Sequence, residues 1–178
     1  MLLETKGYMM KTIETIRFAL TAADGAFTQL AEDMRDAPLT RPTPRGGNHP
    51  MWVVGHITFI EAGIPHILFG EPNPLAHWAP LFAPGSEPKD DASAYPPYDE
   101  VLRAYRAHRA RTFKILDGLS EAELDRPTKA PLKGLEQVLA TFGQTLLVQA
   151  LHQMTHRGQL ADARRAAGRK PMFTPGID

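Results

Sequence analysis

Leu146-Leu147-Val148-Gln149-Ala150-Leu151-His152-Gln153-Met154-Thr155-His156-Arg157-Gly158-Gln159-Leu160 is the stretch on which the fold turns. Its two histidines stand four residues apart. On a helix that spacing is about 6 Å of rise and about 40° of rotation, so both imidazoles leave the same face. The face extends in both directions, through Leu135, Val138, Leu139, Phe142, Leu146 and Gln149 before His152, and through Gln159 or Leu160 and Ala163 after His156. This predicts a helix beginning near Leu132 to Leu135 and reaching about Ala167, capped by Gly168 and followed by Pro171. The histidines therefore replace apolar residues in a core-facing stripe.

Upstream, Met9, Ile13, Ile16, Leu20, Ala23, Phe27, Leu30 and Met34 recur at steps of four and three, the seam of a first helix. Pro38 ends it, and Ala37 to His49 reads as a loop with three prolines and two glycines. A second helix opens with Asn48 or His49 as cap and Pro50 in its first turn. Trp52, Val53, His56, Phe59, Ile60 and Ile64 form its apolar side, a kink or end is expected near Pro65, and Gly70 stops it. Glu71 to Pro97 holds seven prolines together with Leu75, Trp78, Leu81 and Phe82. A long loop with large apolar residues packs down on the body, and its length allows the helices on either side to run parallel. A third helix is predicted from Tyr98 to Leu119, with Val101, Leu102, Tyr105, Thr112, Leu116 and Leu119 on one side and arginines on the other. Ser120 and Glu123 have the spacing of a capping box on a single turn, and Asp125 to Lys133 is a further loop. No strand-like alternation and no repeat is present. The fold expected is all-α, a four-helix bundle in one domain over residues 1–178, with a long Pro-rich crossover between its second and third helices.

Composition narrows the function. Basic and acidic residues balance, 20 against 20, and no Lys/Arg block occurs, so nucleic acid is not an expected partner. There is no cysteine, which removes disulfides, thiolate ligands and a cysteine nucleophile together, and fits a cytoplasmic location. Met1 to Met10 lacks the apolar core of a signal peptide. No stretch approaches about 18 consecutive apolar residues, so no membrane span is expected.

His56 lies on the inner side of the second predicted helix, one turn beyond Trp52. Joined to His152 and His156 it makes a three-imidazole set with an open position, the pattern of a catalytic rather than a structural metal. An unpaired imidazole on a core stripe costs about 1–3 kcal/mol, which weighs against a purely structural role. His49 is two turns before His56, able to line the mouth of such a site. His66, His77 and His108 lie past the kink, in the loop and among arginines, and are poor ligand candidates. Zinc proteases read His-Glu-x-x-His; here the second position is Gln153, which accepts no proton, and Glu61 is turned away from the His56 face. Gln149 is a candidate polar wall of the pocket. Gln159, one turn past His156, is placed to hold a ligand's second nitrogen. Arg157 and Gly158 have plain structural readings.

Three segments, Trp52-Val53-Val54-Gly55-His56-Ile57, His77-Trp78-Ala79-Pro80-Leu81-Phe82-Ala83-Pro84-Gly85-Ser86 and His152-Gln153-Met154-Thr155-His156-Arg157-Gly158-Gln159, make the chain resemble the DinB-like (YfiT-like) metalloenzymes over nearly its whole length. This is the damage-inducible bundle family, not the DNA polymerase that shares the name. The resemblance implies an up-down-down-up four-helix bundle. It implies a divalent metal, often zinc or nickel, on one histidine of the second helix and two of the fourth, which map onto His56, His152 and His156. Family members are often dimers, so a homodimer is expected. Many have no assigned activity; others are transferases and isomerases that use bacillithiol, mycothiol or glutathione.

Two classes of function follow. In the first, an enzyme uses the metal to make a nucleophile at neutral pH and transfers a low-molecular-weight thiol to a small electrophile, or hydrolyses it, near Trp52 and Phe59 and under the Trp78/Phe82 loop. In the second, a binding or stress-response bundle keeps a structural metal or senses a small ligand. No acid/base carboxylate stands beside the histidines, which favours the first.

Overall fold

A computed structural model describes residues 10–43 and 46–172. Met9, the first residue of the predicted seam, and the N-terminal segment read for a signal peptide lie outside them, Met10 excepted. Among the described residues the chain is all-α. Its helices are α1 (Thr12–Asp33), α2 (Pro50–Phe69), α3 (Ala79–Phe82), α4 (Tyr98–Asp117) and α5 (Phe142–Ala166), with short 3-10 turns between them and no strand.

The first seam holds: Ile16, Leu20, Ala23, Phe27 and Leu30 of α1 are buried, and Met34 caps the helix before Pro38 is reached. α1 packs chiefly on α5, and α2 chiefly on α4. α2 is apolar on nearly every side rather than along a stripe, which places it inside the molecule. It is long and apolar enough to cross a membrane by length and composition, yet 72% of that window is buried against the other helices, as in a core helix. His49 caps it: Nδ1 accepts the Trp52 N–H at 3.1 Å. Pro65 neither kinks the sequence out of the helix nor ends it. Ile64, Pro65, Ile67 and Leu68 are buried, and their packing outweighs the one backbone bond that proline removes. Gly70, at φ 75°, takes the left-handed conformation that closes the last turn.

The segment between α2 and α4 is less irregular than its prolines suggest. It contains a 3-10 turn (Ala76–Trp78), α3, and a second 3-10 turn (Ala92–Ala94). As expected it packs down, with Leu75, Trp78, Phe82 and Tyr95 buried in one apolar cluster with Trp52, Val54 and Ile57.

The start of the last helix needs correction. Residues 132–141 are not helical, and α5 begins at Phe142, where Thr141 Oγ1 accepts the Gln144 N–H and the Gln144 side chain accepts the Thr141 N–H. That capping box is a stronger start signal than the apolar residues before it. Thr128 N–H donates to Ala140 O at 3.0 Å, which ties the preceding segment back on the loop instead. Leu135 and Val138, read as inward, are exposed at 44% and 47%.

The core divides into two apolar clusters. One gathers Phe27, Trp52, Phe82, Tyr105 and Leu160, and the other Ile16, Leu20, Leu116, Phe142 and Leu146. On α1, α4 and α5 a polar residue stands between them in sequence, Asp24, Arg109 and Gln153, and on α2 Glu61 stands close to the changeover.

Candidate metal centre

His56 is placed by two fixed neighbours. Its ring stacks on Trp52, with centroids 4.6 Å apart and planes 7° apart. Trp52 is held in turn by its Nε1–H on Ser86 Oγ at 3.0 Å. His56 Nδ1 lies 2.7 Å from the Phe82 carbonyl. That carbonyl arrives because α3 lies directly on α2 at Gly55, where any Cβ would overlap the Phe82 ring. A carbonyl only accepts, so Nδ1 carries the proton and Nε2 the lone pair.

His156 is fixed by the same logic. Its Nδ1 lies 3.0 Å from Gln159 Oε1, which also accepts from Asn48 Nδ2 at 3.3 Å. The proton again sits on Nδ1 and the lone pair on Nε2. His152 Nε2 lies 3.0 Å from His156 Nε2 and 3.3 Å from His56 Nε2. A neutral imidazole offers at most one N–H, so His152 cannot satisfy both neighbours. Three ring nitrogens thus converge on one point. All ligand atoms lie within 4.8 Å of one another. Two imidazole nitrogens that share one ion at about 2.0–2.1 Å stand roughly 3 Å apart, so the donor set fits a divalent metal.

The electrostatics agree. Burial pushes His56 down to about 4, against the opposing effect of the Phe82 carbonyl. Burial, with His156 and His56 alongside, pushes His152 to about 4. His156 is also lowered by burial. All three are neutral lone-pair donors at neutral pH.

A cavity of about 220 Å³ opens beside the centre, lined by His56 and His152 and walled by Ile60, Ile64, Ile67, Leu139 and Val148. Gln149 lines it as expected. A larger cleft of about 460 Å³ near Pro38, Pro50 and Ala163 includes none of the three histidines and offers no comparable chemistry.

The other expected positions divide. Trp52 and Gln159 orient the rings of His56 and His156. Phe82 does so through its backbone, and Trp78 packs edge-on against the Phe82 ring at 5.6 Å. His49 does not line a mouth: it is fully buried, capping α2 and bonded through Nε2 to Lys89 O at 3.0 Å. Phe59 is half-buried against the core and is not among the cavity residues. His66 bonds to Glu71 O, His77 is exposed, and His108 is half-buried outside the cluster.

A buried network whose pairings helical periodicity does not reveal lies behind this wall. Glu61 is fully buried, accepts from Gln149 Nε2 at 2.6 Å and pairs with Arg109 Nη2 at 3.1 Å. Arg109 also reaches Gln153, which bonds to Tyr105, whose hydroxyl donates to Asp24 at 2.5 Å. Gln153, at the position where proteases keep their base, is thus fully buried and committed to α4. Two signals could have found the network. A lone carboxylate in an otherwise apolar helix needs a partner, and Arg109 fills the four- and three-residue steps between Tyr105 and Thr112.

Residues 19–160 match the model of the DinB superfamily. No curated protein matches the chain. The match covers more than three quarters of the sequence and includes all three histidines: the chain belongs to the DinB superfamily.

Proposed function

We propose that this DinB-superfamily chain is a divalent-metal-dependent enzyme that transfers a low-molecular-weight thiol, of the bacillithiol, mycothiol or glutathione kind, to a small electrophile. The observation that carries this is the convergence of three neutral imidazole nitrogens at the edge of an apolar cavity that two of the same histidines line. A zinc or nickel ion held by His56, His152 and His156 would supply Lewis acidity and favour the thiolate form of a coordinating thiol at neutral pH.

The chain's own residues do the rest. Phe82 and Gln159 hold two ring protons on Nδ1, which keeps both Nε2 lone pairs directed inward. The isoleucine wall of α2 excludes water from the electrophile. The chain has no cysteine, so the sulfur comes from the cofactor. In the transfer a new S–C bond forms, the bond from that carbon to the leaving group breaks with its electron pair, and the thiol proton passes to solvent.

The same reading makes the long helices an up-down-down-up four-helix bundle, since the 70–97 connection is long enough to run back along a helix. It makes the protein cytoplasmic, without nucleic-acid or membrane partners, supported by its balanced charge, its lack of cysteine and the burial of α2, and a homodimer on the family resemblance alone.

The test is protein purified without a His tag, assayed for metal and then for loss of each of the three thiols against a panel of alkyl and aryl electrophiles. Thiol consumption that disappears with a chelator, returns with zinc or nickel, and is absent in His152→Ala supports the enzyme. Metal bound by the three histidines with no thiol consumed would turn the reading to a ligand-binding bundle with a structural metal.

A further inference from the structure

The cavity beside the histidines has an unusual lining. Its walls are aliphatic, and among the described residues no Lys, Arg, Asp or Glu borders it. Besides the histidines, its polar side chains are Thr145 and Gln149, one turn apart on α5 and 1% and 3% exposed. Among the described residues Thr145 Oγ1 is buried without a hydrogen-bond partner. Such a hydroxyl costs about 1–3 kcal/mol unless something satisfies it.

Gln149 is oriented from behind. Glu61 Oε2 accepts from it at 2.6 Å, and a carboxylate paired with Arg109 takes only a donor, so the NH₂ end must face Glu61. The amide oxygen is left pointing away from that pair, with no hydrogen bond to it among the described residues. The cavity therefore presents one acceptor, Gln149 Oε1, and one hydroxyl, Thr145 Oγ1, in an otherwise apolar space.

We infer that this cavity selects an uncharged, mainly apolar small molecule that carries a single polar group, both donor and acceptor, seated between Gln149 and Thr145. A carboxylate or ammonium there would be desolvated without a counter-charge on the lining. At about 220 Å³ the space suits one ring with a short substituent, since an engineered apolar cavity of about 150 Å³ holds benzene. The inference names the substrate class of the proposed transferase and rests on that reading for the reaction; the binding itself does not require turnover.

Benzyl alcohol, toluene, benzoate and benzylammonium share one ring and differ in the group at issue. Each is titrated by NMR into protein freed of metal with a chelator, so that benzoate cannot coordinate an ion, and benzyl alcohol is titrated into metal-loaded protein as well. Benzyl alcohol should bind at least about tenfold more tightly than either ion. Thr145→Val removes a hydroxyl that has no partner among the described residues and keeps its shape, so the fold should be retained. It should weaken benzyl alcohol about three- to tenfold and leave toluene within about twofold. Gln149→Met should do the same; if that variant does not fold, Thr145→Val carries the test. Equal or tighter binding of either ion, no binding of benzyl alcohol in either form, or unchanged benzyl alcohol affinity in Thr145→Val would overturn the inference. A result in which benzyl alcohol binds as expected while no thiol is consumed would reject the transferase and keep the cavity's preference.

Discussion

At the scale of single residues, the candidate centre depends on where two protons sit. Gln159 holds the His156 proton on Nδ1 and is itself held by Asn48. Gln159→Leu should weaken zinc affinity about tenfold without abolishing it, because outer partners orient a ligand rather than bind the ion; competition with a chromophoric chelator measures this. Titration gives a second expectation. In metal-free protein His56 and His152 stay neutral down to about 4, whereas in the unfolded chain they protonate at their ordinary 6.5. Between those values the unfolded chain binds more protons, so stability falls as the pH drops through about 6.5 towards about 4, and this contribution is exhausted below. Urea unfolding midpoints between pH 7.5 and 4 should show the slope, reduced in His152→Asn.

At the scale of elements, the connection between α2 and α4 acts as a clamp on one imidazole. α3 brings the Phe82 carbonyl to His56, and Gly55 is the position that lets it approach. Gly55→Ala should destabilise the fold by about 1–3 kcal/mol through overpacking and should lower metal affinity as Phe82 is displaced. A variant with full stability and undiminished metal affinity would show that α3 can shift without consequence. Trp78, 6% exposed, anchors the same segment. Trp78→Ser should cost about 3 kcal/mol or more in thermal or chemical unfolding.

At the scale of the whole molecule, one polar layer links all four long helices: Asp24 from α1, Glu61 from α2, Tyr105 and Arg109 from α4, Gln149 and Gln153 from α5. It lies between two apolar clusters and directly behind the cavity wall. Arg109→Leu leaves the Glu61 carboxylate buried without its cation and should cost about 3–5 kcal/mol. Adding Glu61→Gln should recover part of that loss, read from equilibrium unfolding of the two single variants and the double variant.

What the sequence determined by itself were the features written locally: the α1 seam, the His49–Pro50 start of α2, the Gly70 stop, and His152 and His156 on one helical face. These follow from spacing and backbone chemistry within a few residues. His56 could be joined to them because it, too, lies on an inward face. The start of α5 is legible as well, in Thr141 and Gln144, a stronger local signal than the apolar periodicity further upstream; Val138 faces solvent, and Leu135, though 44% exposed, borders the cavity. Only the tertiary structure decided the rest. Pro65 stays inside α2 because the core holds the last turn, and His49 is consumed as a cap instead of facing a pocket. Glu61, Arg109 and Gln153 pair across three helices. Buried polar groups are stable only with partners, and those partners lie 44 to 48 residues apart, where helical periodicity carries no information about which side chain meets which.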